Sequence, residues 1–117
     1  MTSLALTPAT LDLTVVQGDS LAESFTFSQS GSALNLSTYT FRAQVRSERS
    51  SSASLLATFT VGTGSASTGV LAVSLSAATT SALDPGRYWW EFEWTVGSSV
   101  RTVLGGEFVV VDQVAKP

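Results

Sequence analysis

At 117 residues the chain is long enough for one domain with a real core and too short for two. Charged residues make up 13% against a usual share of about a quarter, and the net charge is −3 with six basic residues, which leaves no footprint for a nucleic-acid backbone and no polybasic patch for anionic lipid. The absence of Cys and His removes disulfide and thiolate chemistry, the commonest metal ligand and the commonest general base.

Residues 1–10 are small and polar around Pro8 and read as an extended arm or a short edge strand. They carry neither a basic n-region nor an apolar run long enough for a signal peptide or a membrane span, so a soluble chain made in a cytoplasm is expected. Leu11 to Val16 alternates and then turns continuously apolar, and Gln17-Gly18-Asp19-Ser20 supplies a turn. Leu21 to Ser28 returns with Leu21, Phe25 and Phe27 on one face, leaving Glu23 as the odd member of that stripe, at a strand end or a bulge. Gln29 to Thr38 reads as a loop on Ser30-Gly31-Ser32, with Leu34 and Leu36 dipping towards the core.

Tyr39 to Arg46 alternates cleanly, with Phe41, Ala43 and Val45 inward and Arg42, Gln44 and Arg46 outward. Ser47 to Ser54 is a low-complexity loop of small polar residues, expected to be flexible. Leu55 to Val61 and Val70 to Leu75 are two β-rich runs joined by a glycine-bearing loop over 62–69. That loop lacks the Lys-Ser/Thr and the helix of a phosphate loop. Ser76, as N-cap before Ala77-Ala78, predicts one helical turn that Asp84-Pro85-Gly86 closes.

Pro85 to Val111 is the stretch around which the rest is organised. It reads as a long hairpin turning at Val96-Gly97-Ser98-Ser99-Val100, with Tyr88, Trp90, Phe92 and Trp94 on a buried face and Arg87, Trp89, Glu91 and Glu93 on a wet one. Asp112 to Pro117 is a polar C-terminal arm. About seven strands with one helical turn and no βαβ rhythm predict an all-β, immunoglobulin-like β-sandwich over residues 1–117, with Tyr88 placed to tie back to the preceding corner. The Cys pair and the inward Trp of antibody domains are missing.

Val16-Gln17-Gly18-Asp19-Ser20, the run Leu36 to Arg46, Leu75-Ser76-Ala77-Ala78-Thr79 to Leu83, Pro85-Gly86-Arg87-Tyr88 and Gly106 to Val111 together resemble a known family. It is the small immunoglobulin-like domain of tailed-phage structural proteins, of the type at the N-terminus of baseplate upper proteins. The resemblance runs through nearly the whole chain and implies a non-enzymatic virion protein, assembled in the host cytoplasm. Such a protein works as a tail, baseplate or fibre-attachment adaptor, binding other phage structural proteins and further copies of itself. A capsid-decorating (cement) protein on the head is the alternative within that class. A carbohydrate-binding module using Trp89 as a stacking platform is the alternative outside it.

In the usual immunoglobulin strand order, Arg42/Arg46, Arg87/Trp89/Glu91/Glu93 and Arg101/Val103/Glu107/Val109 share one outer face, which makes Arg42, Arg46, Trp89, Glu91, Glu93, Arg101, Val103 and Val109 the candidate protein-interface residues. The competing reading has a bulge at Gly105-Gly106 that shifts the register, with a loop or the N-terminal arm covering Trp89. Glu91 and Glu93, about 7 Å apart along a strand, have the spacing of a glycosidase pair, but Arg neighbours make a wet ion-paired face the better reading. Asp19, Asp84 and Asp112 read as turn residues, not as a calcium site. No catalytic residue, metal, cofactor or small-molecule substrate is expected.

Overall fold

The computed structural model describes residues 9–29, 31–50 and 52–114. In chain order the strands are β1 (Ala9–Thr10), β2 (Leu13–Val16), β3 (Leu21–Thr26), β4 (Ser28–Gln29), β5 (Ser32–Ala33), β6 (Thr40–Arg46), β7 (Leu55–Thr58), β8 (Thr60–Gly62), β9 (Val70–Leu75), β10 (Gly86–Val96) and β11 (Ser99–Val111). A 3-10 turn spans Ala66–Thr68, and the helix α1 spans Ala77–Ser81. One sheet runs β1-β11-β10-β6-β7, with β2 also on β11, and the other runs β3-β9-β8. β1 and β2 lie parallel to β11, and the remaining pairs in these sheets are antiparallel. Two sheets facing each other, with the first strands crossing onto the last, make the immunoglobulin-like sandwich expected from the sequence.

The strand period of two sorts the core. Trp90 and Phe92 on β10, Ala43 and Val45 on β6, Leu13 and Val15 on β2, and Phe108 and Val110 on β11 are buried, as are Leu71, Val73 and Leu75 on β9 opposite them. Tyr88 and Trp94 complete the inward stripe of β10 in partly buried positions. Leu36 is fully buried and Leu34 partly so, as the sequence indicates, although the Gln29–Thr38 segment also contains the small β4–β5 ladder.

Three contacts hold the corners. Ser76 caps α1 by accepting from the Thr79 N–H at 3.2 Å. Thr80, the one buried polar side chain among the described residues, donates to the Asp19 carbonyl at 2.6 Å and accepts from the Gly18 N–H at 3.1 Å. Gln17 adds a 2.8 Å bond to the Leu83 carbonyl, so the Gln17-Gly18-Asp19 turn is fastened to α1. The Tyr88 hydroxyl donates to the Asp84 carbonyl, the tie expected at this corner.

Three sequence expectations need correction. Leu55–Val61 is not one strand: the chain leaves the first sheet after Thr58 and enters the second at Thr60. Buried Phe59 is the pivot, with its N–H bonded to Ala43 at 2.8 Å. Glu23 lies at neither a strand end nor a bulge. It pairs with buried Val73 in mid-strand, but β3 is the edge of its sheet, so the carboxylate reaches water around the rim. The low-complexity Ser47–Ser54 loop carries hydrogen bonds among its described residues, including Ser47 N–H to Ser54 O and Arg46 Nη1 to Ala53 O. The hairpin turns on Gly97-Ser98 alone, with Gly97 at φ +59°. Of the expected N-terminal arm, Ala9–Thr10 is the short edge strand β1, and residues 1–8 lie outside the described residues, as do residues 115–117 of the C-terminal arm.

Candidate functional site

Strand order brings two of the three outward-facing sets together, with Glu107 and Val109 of the third. Across β11, β10, β6 and β7, the register aligns Glu107, Trp89, Arg46 and Leu55 in one row, then Gly105, Glu91, Gln44 and Thr58 in the next. A third row holds Thr102, Glu93 and Arg42. Arg87 and Val109 pair at the end of the same face.

Arg101 and Val103 do not belong to this face. The β10–β11 register shifts between Phe92 and Glu93, where Leu104 is followed by Thr102 as the partner on β11, and Val103 is the extra residue. Below that bulge the alternation of β11 is inverted. Arg101 falls opposite Trp94, on the inward parity, and Val103 packs against the core. The bulge expected at Gly105-Gly106 is therefore displaced by two residues, and the glycines themselves stay in register with Glu91 and Trp90. Gly106 is required for a different reason: a side chain there would meet the Leu11 carbonyl oxygen at 2.4 Å, where β1 and β2 cross onto β11.

The charges on the face are mostly closed. Arg42 bonds Glu93 at 2.6 Å, and Arg87 bonds Glu107 at 2.9 Å. Both pairs are exposed on at least one side and contribute on the order of 0–1 kcal/mol each. Arg46 turns its guanidinium to Ala53 O at 2.8 Å and to Gln44 Oε1 at 3.2 Å, which anchors the Ser47–Ser54 loop. That loop then lays Arg49 over Trp89, with the guanidinium carbon 4.9 Å from the ring centroid.

Trp89 is thus neither the open platform nor the fully covered residue that the sequence left as alternatives. It is half-buried, roofed by one guanidinium, and its indole edge leans towards Gly105. Among the described residues no acceptor reaches its buried Nε1. A groove of about 400 Å³ opens beside it, and its lining includes Gln44, the Arg42–Glu93 pair, Arg46, Arg49 and Glu91. Glu93 is held by Arg42, and no enclosed cavity surrounds Glu91, which is exposed. Among the described residues no cluster of three or more acidic side chains is placed to hold a metal ion.

Sequence reasoning missed two members of the site. Arg49 escaped notice because the loop that carries it reads as unstructured, and Leu55, 48% exposed in the Trp89 row, because its strand had no assigned partner.

No protein-family model matches the sequence, and no curated protein matches it. Among solved structures the chain is similar to one from the ZIG-8–RIG-5 IG1–IG1 heterodimer, at 15% identity and a TM-score of 0.44, over 94% of this chain and 90% of that one.

Proposed function

We propose that this protein is a non-enzymatic structural component of a tailed-phage virion, an adaptor at the tail, baseplate or fibre attachment that binds its neighbours through the Trp89 face. The observation that carries this reading is the composition of that face. A half-buried Trp and an exposed Leu flank Arg46 on a four-strand surface, with ion pairs at the margins. An amphipathic aromatic centre with a polar rim is the arrangement by which proteins grip one another. The sequence resemblance supplies the phage setting. Two of the segments that carry it, Gln17-Gly18-Asp19 and the Ser76 to Leu83 turn, are hydrogen-bonded to each other in the structure.

The sugar-stacking alternative at Trp89 loses support from the same geometry. A saccharide needs an open ring face, and Arg49 occupies one. The adaptor reading is tested by replacing Trp89 with Ala and measuring incorporation into particles. Incorporation should fall at least tenfold while the isolated domain keeps its circular dichroism and melting temperature. Incorporation at the normal level overturns the assignment of this face.

A further inference from the structure

The outward positions of β10, taken in order, are Arg87, Trp89, Glu91 and Glu93. Those of β6 are Arg42, Gln44 and Arg46, with Glu48 two residues beyond its end on the same groove. Trp90 is the register partner of Val45, so the midpoints of the two series lie in one row across the sheet. About that row each series reverses sign. Counting outward from Trp90, Arg87 is matched by Glu93 and Trp89 by Glu91; counting from Val45, Arg42 is matched by Glu48 and Arg46 by the neutral Gln44. Arg49, lying over Trp89, adds a cation on the side opposite Glu91. On β11 the row falls at Gly106, with Glu107 matched by Gly105, and Val109 beside Arg87 matched by Thr102 beside Glu93.

A charge order of this kind is complementary to its own reverse. The groove beside Trp89 is lined by as many Arg as Glu side chains, and is neutral on a chain of net charge −3. Among the described residues Glu48, Glu91 and Arg49 enter no ion pair. A uniformly acidic or basic partner would meet half of this face with its own sign, a mismatch that disfavours binding.

We propose that this face binds a second copy of the same chain about a two-fold axis that lies in the contact plane and runs across the strands at the Trp90–Val45 row. This names one neighbour for the face assigned above and rests on that assignment. The axis reverses β10 against its copy, which sets Arg49 and Trp89 over Glu91 of the second copy, Arg87 over Glu93 and Arg42 over Glu48, each contact occurring twice. An axis parallel to the strands would lay Arg87 on Arg87, Glu91 on Glu91 and Glu93 on Glu93, so the charges select the first arrangement. The Arg42–Glu93 and Arg87–Glu107 pairs then join into one network across the contact. Packed sheets cross at about 30°, an offset that long arginine side chains absorb.

The test is sedimentation equilibrium of the pure protein and of charge-swapped variants. The parent should form a dimer that dissociates on dilution. Glu91→Arg and Arg49→Glu each replace an exposed side chain, so circular dichroism should be unchanged while self-association weakens at least tenfold. One variant is acidic at both positions and the other basic at both, so each repels its own copy and attracts the other variant. An equimolar mixture should therefore recover most of the lost affinity, as should the double variant R49E/E91R. A parent that stays monomeric up to about 1 mM, or a mixture that pairs no better than the single variants, overturns the two-fold pairing. Either result leaves the adaptor reading standing, because the face then grips a different chain and the incorporation of Trp89→Ala still tests it.

Discussion

Trp89 and Trp90 are neighbours in the chain with opposite polar fates. The Trp90 indole is fully buried and donates to the Leu11 carbonyl at 2.7 Å, while the Trp89 indole N–H faces no acceptor among the described residues and its ring lies under Arg49. The strand period of two places one in the core and the other on the outer face. Trp90 therefore fastens the N-terminal strands to the sandwich, and Trp89 is the residue that the proposed adaptor role assigns to a neighbour.

Trp90→Phe should destabilise the fold by about 1–3 kcal/mol, because it strands the Leu11 carbonyl as well as shrinking a core ring. Trp89→Ala should cost less. Denaturant midpoints of the two variants, compared at equal slope, check the order.

Thr80→Val keeps the shape of the side chain and removes both bonds to the 18–19 turn. The expected loss is again about 1–3 kcal/mol, the usual cost of leaving buried polar groups unmatched. Thr80→Ser should recover most of it, since the hydroxyl returns and only a methyl is lost. Thermal melts of the three proteins measure the difference.

Glu23→Val should leave the monomer as stable as the parent and make it associate. Its carboxylate sits on the core-facing side of edge strand β3, where it penalises pairing with another chain. Light scattering against concentration should rise more steeply for the variant than for the parent.

Arg49→Ala should unroof Trp89. A surface cation–π contact is worth about 0.5–1 kcal/mol, so the melting temperature should move little. The Trp89 indole N–H signal should instead exchange with water faster than in the parent, and an unchanged exchange rate would show that the guanidinium does not shield it.

Much of this architecture is legible in the sequence because alternation over Thr40–Arg46 and Gly86–Val96 is nearly unbroken, so facing residues follow from counting. Counting fails where the backbone skips. The extra residue at Val103 inverts everything before it on β11, which removes Arg101 and Val103 from the outer face while sparing Glu107 and Val109. It fails too where a strand changes sheets: Phe59 looks like one more member of an apolar run until the two sheets exist for it to bridge. Glu23 is intelligible only once β3 is known to be an edge. Arg49 belongs to the site through a loop whose composition suggests nothing, because the hydrogen bonds ordering it come from Arg46 and the backbone.

The central claim, that the Trp89 face is the contact with neighbouring virion proteins, is tested most directly by photo-crosslinking inside the assembled particle, with a benzophenone side chain at Val109 or Leu55 on the margin of that face. The account predicts a cross-link to another structural chain from both positions and none from Ala72 on the exposed side of β9. Cross-linking from Ala72 with none from Val109 or Leu55 would contradict it.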